Sequence, residues 1–124
     1  MPFECPGCKA GSLVITHSME LPPGADADET SVQLVHCPGC GLSGLAVYRE
    51  DRRGALDRES WSHDGYQIDD TSLQWLKKSI RVCPSPSQRS CPCEGHSTLE
   101  KYDWAAVASS GISVVRRFDM RWVR

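Results

Sequence analysis

The amino-acid sequence predicts a small, zinc-stabilised α+β protein. Three observations predict it. Cys5-Pro6-Gly7-Cys8 recurs as Cys37-Pro38-Gly39-Cys40, with 28 residues between the two copies. Segments of apolar–polar alternation, the period of a half-buried strand, occupy much of the chain. One stretch, Thr71 to Arg81, instead places Leu73, Leu76 and Ile80 on a single helical face with Trp75 beside it.

The cysteine pairs set the fold of the first third. Each CPGC presents two thiolates from one tight turn, and four thiolates satisfy the tetrahedral preference of Zn²⁺ with no position left open. Cys5, Cys8, Cys37 and Cys40 are therefore expected to form a structural site rather than a catalytic one. A segment of some forty residues cannot build a sufficient core alone. Zinc binding is worth about 10–16 kcal/mol in small finger peptides and is realised as folding free energy.

Between the pairs, Lys9–Glu20 reads as a strand with Leu13, Val14 and Ile15 as its apolar body. Leu21-Pro22-Pro23-Gly24 breaks it and an acidic loop follows over 25–30. Residues 31–36 read as the returning strand. Gly41 suits a backbone with positive φ, and Gly44–Arg49 reads as a third strand.

Knuckle, hairpin, knuckle, strand over residues 3–49 resembles the zinc-ribbon superfamily. The resemblance implies a ribbon domain at 1–49 whose metal is structural, and no particular activity. Within that superfamily, Asp28-Glu29 ahead of the second knuckle is similar to the acidic pair in the C-terminal ribbon of transcript-cleavage elongation factors. That resemblance implies a hairpin tip whose two carboxylates help hold a Mg²⁺ in an RNA polymerase active centre. Pro-Gly-Ala-Asp stands where that family carries Gln and Arg, and 75 residues follow Arg49.

The rest of the chain is expected to be a linker or exposed connection at 50–60 and an α/β part at 61–124. Asp64-Gly65 between Trp61 and Tyr66 predicts a hairpin turn. Asp69 or Asp70 is the expected N-cap of the helix to Arg81, with Lys77, Lys78 and Arg81 favouring its C-terminal dipole. Pro84 stops that helix. Asp103 is the expected cap of a short helix at 104–109, with Gly111 ending it, and Ile112 to Trp122 alternates as a final strand.

A second ligand set, Cys83, Cys91, Cys93 and His96, has the spacing C-x7-C-x-C-x2-H. It reads as a closed Cys₃His zinc site, giving two zinc ions per chain, provided the loop turns between Cys91 and Cys93. A redox pair or disulfide, and free buried thiols, stay open as readings of the same residues. A thiolate nucleophile needs a base beside it, and with every cysteine taken as a ligand none is left for that role. His17, His36 and His63 are read as lone histidines, and His63-Asp64 as an acid–base pair with no third partner.

Charge narrows the partner classes. The net charge of −2 supplies no global basic field for nucleic acid. Residues 111–124 nevertheless carry +3, leaving −5 on the remainder. Arg116, Arg117, Arg121 and Trp122 interleave cations with rings, a pattern that suits single-stranded nucleic acid or an acidic protein surface. Alternation puts Arg116 and Trp122 on one face, Arg117 and Arg121 on the other. Glu4 and Cys5 stand where a secretory leader is basic, and no apolar run reaches the roughly 18–20 residues of a membrane span. CxxC pairs without a leader suggest a reducing cytoplasm. The leading expectation is a non-enzymatic zinc-binding adaptor or regulatory module for a nucleic acid or a transcription-type protein. The alternatives are a thiol redox protein or metalloenzyme using Cys83, Cys91 and Cys93, and a structural subunit of a larger complex.

Overall fold

The computed structural model describes residues 3–21, 29–51, 60–88, 91–99, 101–102, 104, 107 and 112–121. Five strands and two short helices follow one another: β1 (Val14–Leu21), β2 (Glu29–His36), β3 (Ser43–Asp51), β4 (Ser60–Ile68), α1 (Asp70–Arg81), α2 (Glu94–Leu99) and β5 (Val114–Asp119). The strands form one antiparallel sheet in chain order, β1-β2-β3-β4-β5. β3 and β4, which the sequence reading assigns to different parts of the chain, pair residue by residue from Gly44↔Gln67 to Asp51↔Ser60. Glu50, Asp51 and Ser60 are thus strand residues rather than connection, and 52–59 lie outside the described residues.

Both faces of the sheet are covered, which explains why β2 is buried at Val32 and Leu34 and also at Ser31 and Val35. One face carries Met19, Leu21, Val32, Leu34, Leu45, Val47, Tyr66 and Ile68 against Leu76 and Ile80 of α1 and Leu99 of α2. The other carries Val35, Ala46, Phe118 and Met120 against Phe3, Leu13 and the knuckle residues Cys5 and Cys37. Replacing Leu76, which is fully buried, with Ala would cost about 2–5 kcal/mol.

α1 forms where its sequence places it. Asp69 is the N-cap, its Oδ1 accepting from Ser72 N at 2.9 Å. The Ser72 hydroxyl and backbone N–H hold the Asp69 carboxyl below its ordinary range. The helix ends at Arg81, ahead of Pro84.

Three expectations are corrected. Asp64-Gly65 is no turn: both residues lie inside β4, a strand paired on both sides. Glycine is needed there for close approach, because a Cβ on Gly65 would fall 2.2 Å from the ring of Phe118 on β5. A helix not expected from sequence, α2, occupies 94–99. Its six residues show no apolar period long enough to read. The final strand is also shorter than its alternation, ending at Asp119. Asp103, Gly111, Trp122 and most of 104–109 lie outside the described residues; Trp104 and Val107 are buried, with Trp104 Nε1 donating to Leu99 O at 2.8 Å.

Candidate metal centres

The two CPGC turns are built alike. In the first, Lys9 N donates to Cys5 O at 2.9 Å and Cys5 N to Ala10 O at 2.8 Å. In the second, Gly41 N donates to Cys37 O and Cys37 N to Leu42 O, both at 2.8 Å. The residue after each second cysteine has positive φ, 63° at Lys9 and 81° at Gly41. Gly41 takes that conformation without steric cost, whereas Lys9 opposes it by roughly 1–2 kcal/mol. The sequence points to the first of these features at Gly41 and not at Lys9.

The turns bring four sulfurs together. Sγ of Cys5 is 3.5 Å from that of Cys40, and Sγ of Cys8 is 3.8 Å from that of Cys37. All four lie within 4.8 Å of one another. A tetrahedron with metal–sulfur bonds of about 2.3 Å has edges of roughly 3.8 Å, so the set fits a metal of that size. These separations far exceed a disulfide bond of about 2.05 Å, and the cysteines are free. The Ser12 hydroxyl lies 3.0 Å from Cys37 Sγ. That contact and the Cys40 backbone N–H hold Cys37 down at about 6. Leu42 N–H favours the Cys40 thiolate, yet Cys5, burial and the other thiols push Cys40 up to about 11.

The second set gathers where α1 ends and α2 begins. Cys83 follows the α1 cap, with its N–H on Ile80 O at 3.2 Å. The loop turns at Cys91, whose N–H reaches Gln88 O at 3.2 Å, and Cys93 O receives Ser97 N of α2 at 3.1 Å. His96 comes from the first turn of α2 and is 1% exposed. Its Nδ1 lies 3.2 Å from the sulfurs of both Cys83 and Cys93, and Cys83 Sγ is 3.7 Å from Cys91 Sγ. Nε2 lies 2.8 Å from the backbone carbonyl of Glu20 on β1. A carbonyl only accepts, so Nε2 carries the proton and Nδ1 offers its lone pair to the sulfur cluster. That is how a ligating histidine is oriented by its outer partner. Burial pushes Cys83 up to about 12. Burial opposes the Cys93 thiolate too, but the His96 N–H and ring hold Cys93 down at about 6. These four ligand atoms also lie within 4.8 Å of one another.

Both expected ligand sets are therefore assembled, in a zinc-ribbon-like arrangement for the first. Sequence reasoning missed their supports. Ser12 gave no signal, and a backbone carbonyl such as Glu20 O has none to give.

The other candidates fare differently. Arg116 Nε donates to Gln67 Oε1 at 2.8 Å. Arg117 pairs with Asp64 across the strands, which raises its pKa further, and lies 3.8 Å from Asp119. Arg121 lies 3.8 Å from the same carboxylate. Arg116 and Phe118 share one face of β5 and Arg117 the other, as alternation predicts. Glu29 opens β2 opposite Glu50, while Asp28 and the tip of that hairpin lie outside the described residues. His63 and Asp64 are no acid–base pair. His63 bonds Gln33 at 2.7 Å between the Phe3 and Tyr48 rings, and Asp64 faces the opposite side toward Arg117. Burial lowers the His63 pKa. No helix is long and apolar enough to cross a membrane among the described residues. No family model, curated protein or solved structure matches the chain.

Proposed function

We propose that the protein is a zinc-stabilised interaction module with no chemistry at its metals, and that β5 meets an anionic partner, a nucleic acid first. The observation that carries the first half is closure. Each ligand set supplies four donors, and together they take in every cysteine of the chain. A four-coordinate zinc with four protein ligands has no position for water or substrate, which separates structural from catalytic sites.

The second half rests on β5 being a sheet edge that exposes Arg116 and Arg117, with Arg121 exposed just beyond its end, beside a Val115 that is 65% exposed. Their present acceptors are surface groups. Exposed pairs of this kind are worth about 0–1 kcal/mol, so phosphates can replace them at small cost. Titration with single-stranded and duplex oligonucleotides at two salt concentrations tests this half. Affinity is expected to fall with salt, and Arg117→Ala with Arg121→Ala to reduce the salt slope by about 1 per lost contact. No binding at low salt, or binding unchanged in the double variant, removes the nucleic acid and leaves an acidic protein surface as partner.

A thiol redox role for Cys83, Cys91 and Cys93 is the second reading, favoured by the partial exposure of Cys91 and Cys93. It requires those thiols to be metal-free and titratable.

A further inference from the structure

A groove of about 390 Å³ opens between α1 and the β1–β2 side of the sheet. Its polar groups come from four elements, and none of these groups is a ligand of the cysteine sites. They include Thr16 and His17 of β1, His36 of β2, Ser43 of β3, and Asp70 and Lys77 of α1; the half-buried Leu73 supplies apolar surface.

Local geometry aims the first two. The β1–β2 register shifts between Ile15 and His17, so Thr16 is left out of the ladder. A bulge of this kind re-aims side chains on an edge strand. The Thr16 hydroxyl donates to Leu34 O at 3.3 Å, which uses its one proton. Its oxygen must then accept from His17 Nδ1, 2.9 Å away. That fixes the tautomer and leaves Nε2 as the ring atom for a ligand. His36 is held in the same way, Nδ1 lying 2.8 Å from Ser43 Oγ.

Charge then selects the ligand. Lys77 lines the groove, and Arg81 lies one turn further along α1. Burial, then Arg81, then Lys77 lower the His17 pKa, so two fixed cations act on this imidazole. Two cations beside two ring nitrogens repel a metal ion and attract an oxyanion. The carboxylate in the lining, Asp70, lies seven residues from Lys77, about 10 Å along the helix. The groove is thus polarised, cationic toward His17 and acidic toward the start of α1. A polynucleotide needs a continuous basic track, and Asp70 interrupts one here.

We propose that this groove binds a phosphorylated small molecule, its phosphate against His17 and Lys77 and its organic body on Leu73. The hydroxyls of Thr16 and Ser43 hold the two imidazoles, and Arg81 adds charge from the next turn of α1. A phosphate oxygen needs a donor at His17 Nε2, so binding takes up a proton there. The titratable groups facing His17 are Lys77, Arg81 and Asp70 from α1 and His36 from β2. Of these the cations are offset by the bound phosphate, and the His17 pKa therefore rises on binding. The assignment is independent of β5 and of its partner.

The test is an NMR titration of the full zinc-loaded chain with inorganic phosphate and with phenyl phosphate, reading the His17 ring. Both are expected to move its signals saturably and raise its pKa, phenyl phosphate binding the tighter through the apolar surface. Lys77→Ala is expected to weaken binding by about tenfold, the loss of one charged hydrogen bond, while Arg121→Ala leaves it unchanged. Non-saturating shifts, or a Lys77→Ala protein that binds as well as the parent, overturn the site. Equal affinity for the two probes overturns the assignment to a phosphorylated organic molecule.

Discussion

The two cysteine sites differ in how they are joined to the sheet. The first draws its ligands from two turns far apart in sequence, Cys5/Cys8 and Cys37/Cys40, and closes the knuckle-side core. Cys5 and Cys37 are themselves members of that core, packed with Phe3, Leu13, Val35 and Ala46. The second is local, spanning 83–96. Its ring-to-sheet link runs from His96 Nε2 to Glu20 O, beside the bond from Glu20 N to Pro86 O. A long-range site stands in for a core, whereas a local site fixes the junction of two helices. Losing the first should therefore unravel an end of the protein, and losing the second should loosen one side of a sheet that remains.

The largest expected effect follows directly. Cys37→Ser should free the knuckle-side layer, 3–13 and 37–42, because Cys5 and Cys37 belong to that core and the proposed zinc ties its two turns together. Cys83→Ser should be milder, leaving amides of β2, β3 and β4 protected while α1 and α2 exchange faster. Residue-resolved hydrogen exchange on both variants checks the contrast. Equal loss of protection everywhere in both would remove the distinction between the sites.

A smaller effect lies within the first site. Its two turns share their hydrogen bonds but not their φ-positive residue. Lys9→Gly should stabilise by about 1 kcal/mol and Gly41→Ala should destabilise by about the same, measured by denaturant midpoints at saturating zinc. Opposite signs are required if the turns are equivalent.

The four ligands of each site were readable because thiolate chemistry needs several cysteines at short spacings, and such spacings survive in the sequence; the supports at Ser12 and Glu20 O were not. Strands β1 to β3 and helix α1 were readable for the same kind of reason, a period repeated often enough to count. What failed was whatever depended on a distant neighbour. Asp64-Gly65 carries a turn signature, yet Gly65 is glycine because the Phe118 ring lies over it. His17 and His36 look solitary in sequence, and only the β1 bulge and α1 put them in one groove with Lys77. Arg116 and Arg117 alternate as expected, but Gln67 and Asp64 had to be seen to explain where they point. Helix α2 is too short to show a period, and its place follows from Cys93 just before it and His96 within it.

If two closed four-ligand zinc sites hold this protein, as we propose, the metal content per chain records both. Elemental analysis of the protein purified without chelator, combined with thiol titration, should give two zinc ions and no reactive thiol. His96→Ala should lower the zinc content to about one and leave the Cys5, Cys8, Cys37 and Cys40 site filled. One zinc in the parent protein, with Cys83, Cys91 and Cys93 open to titration, would rule out the second site and favour redox chemistry at those thiols.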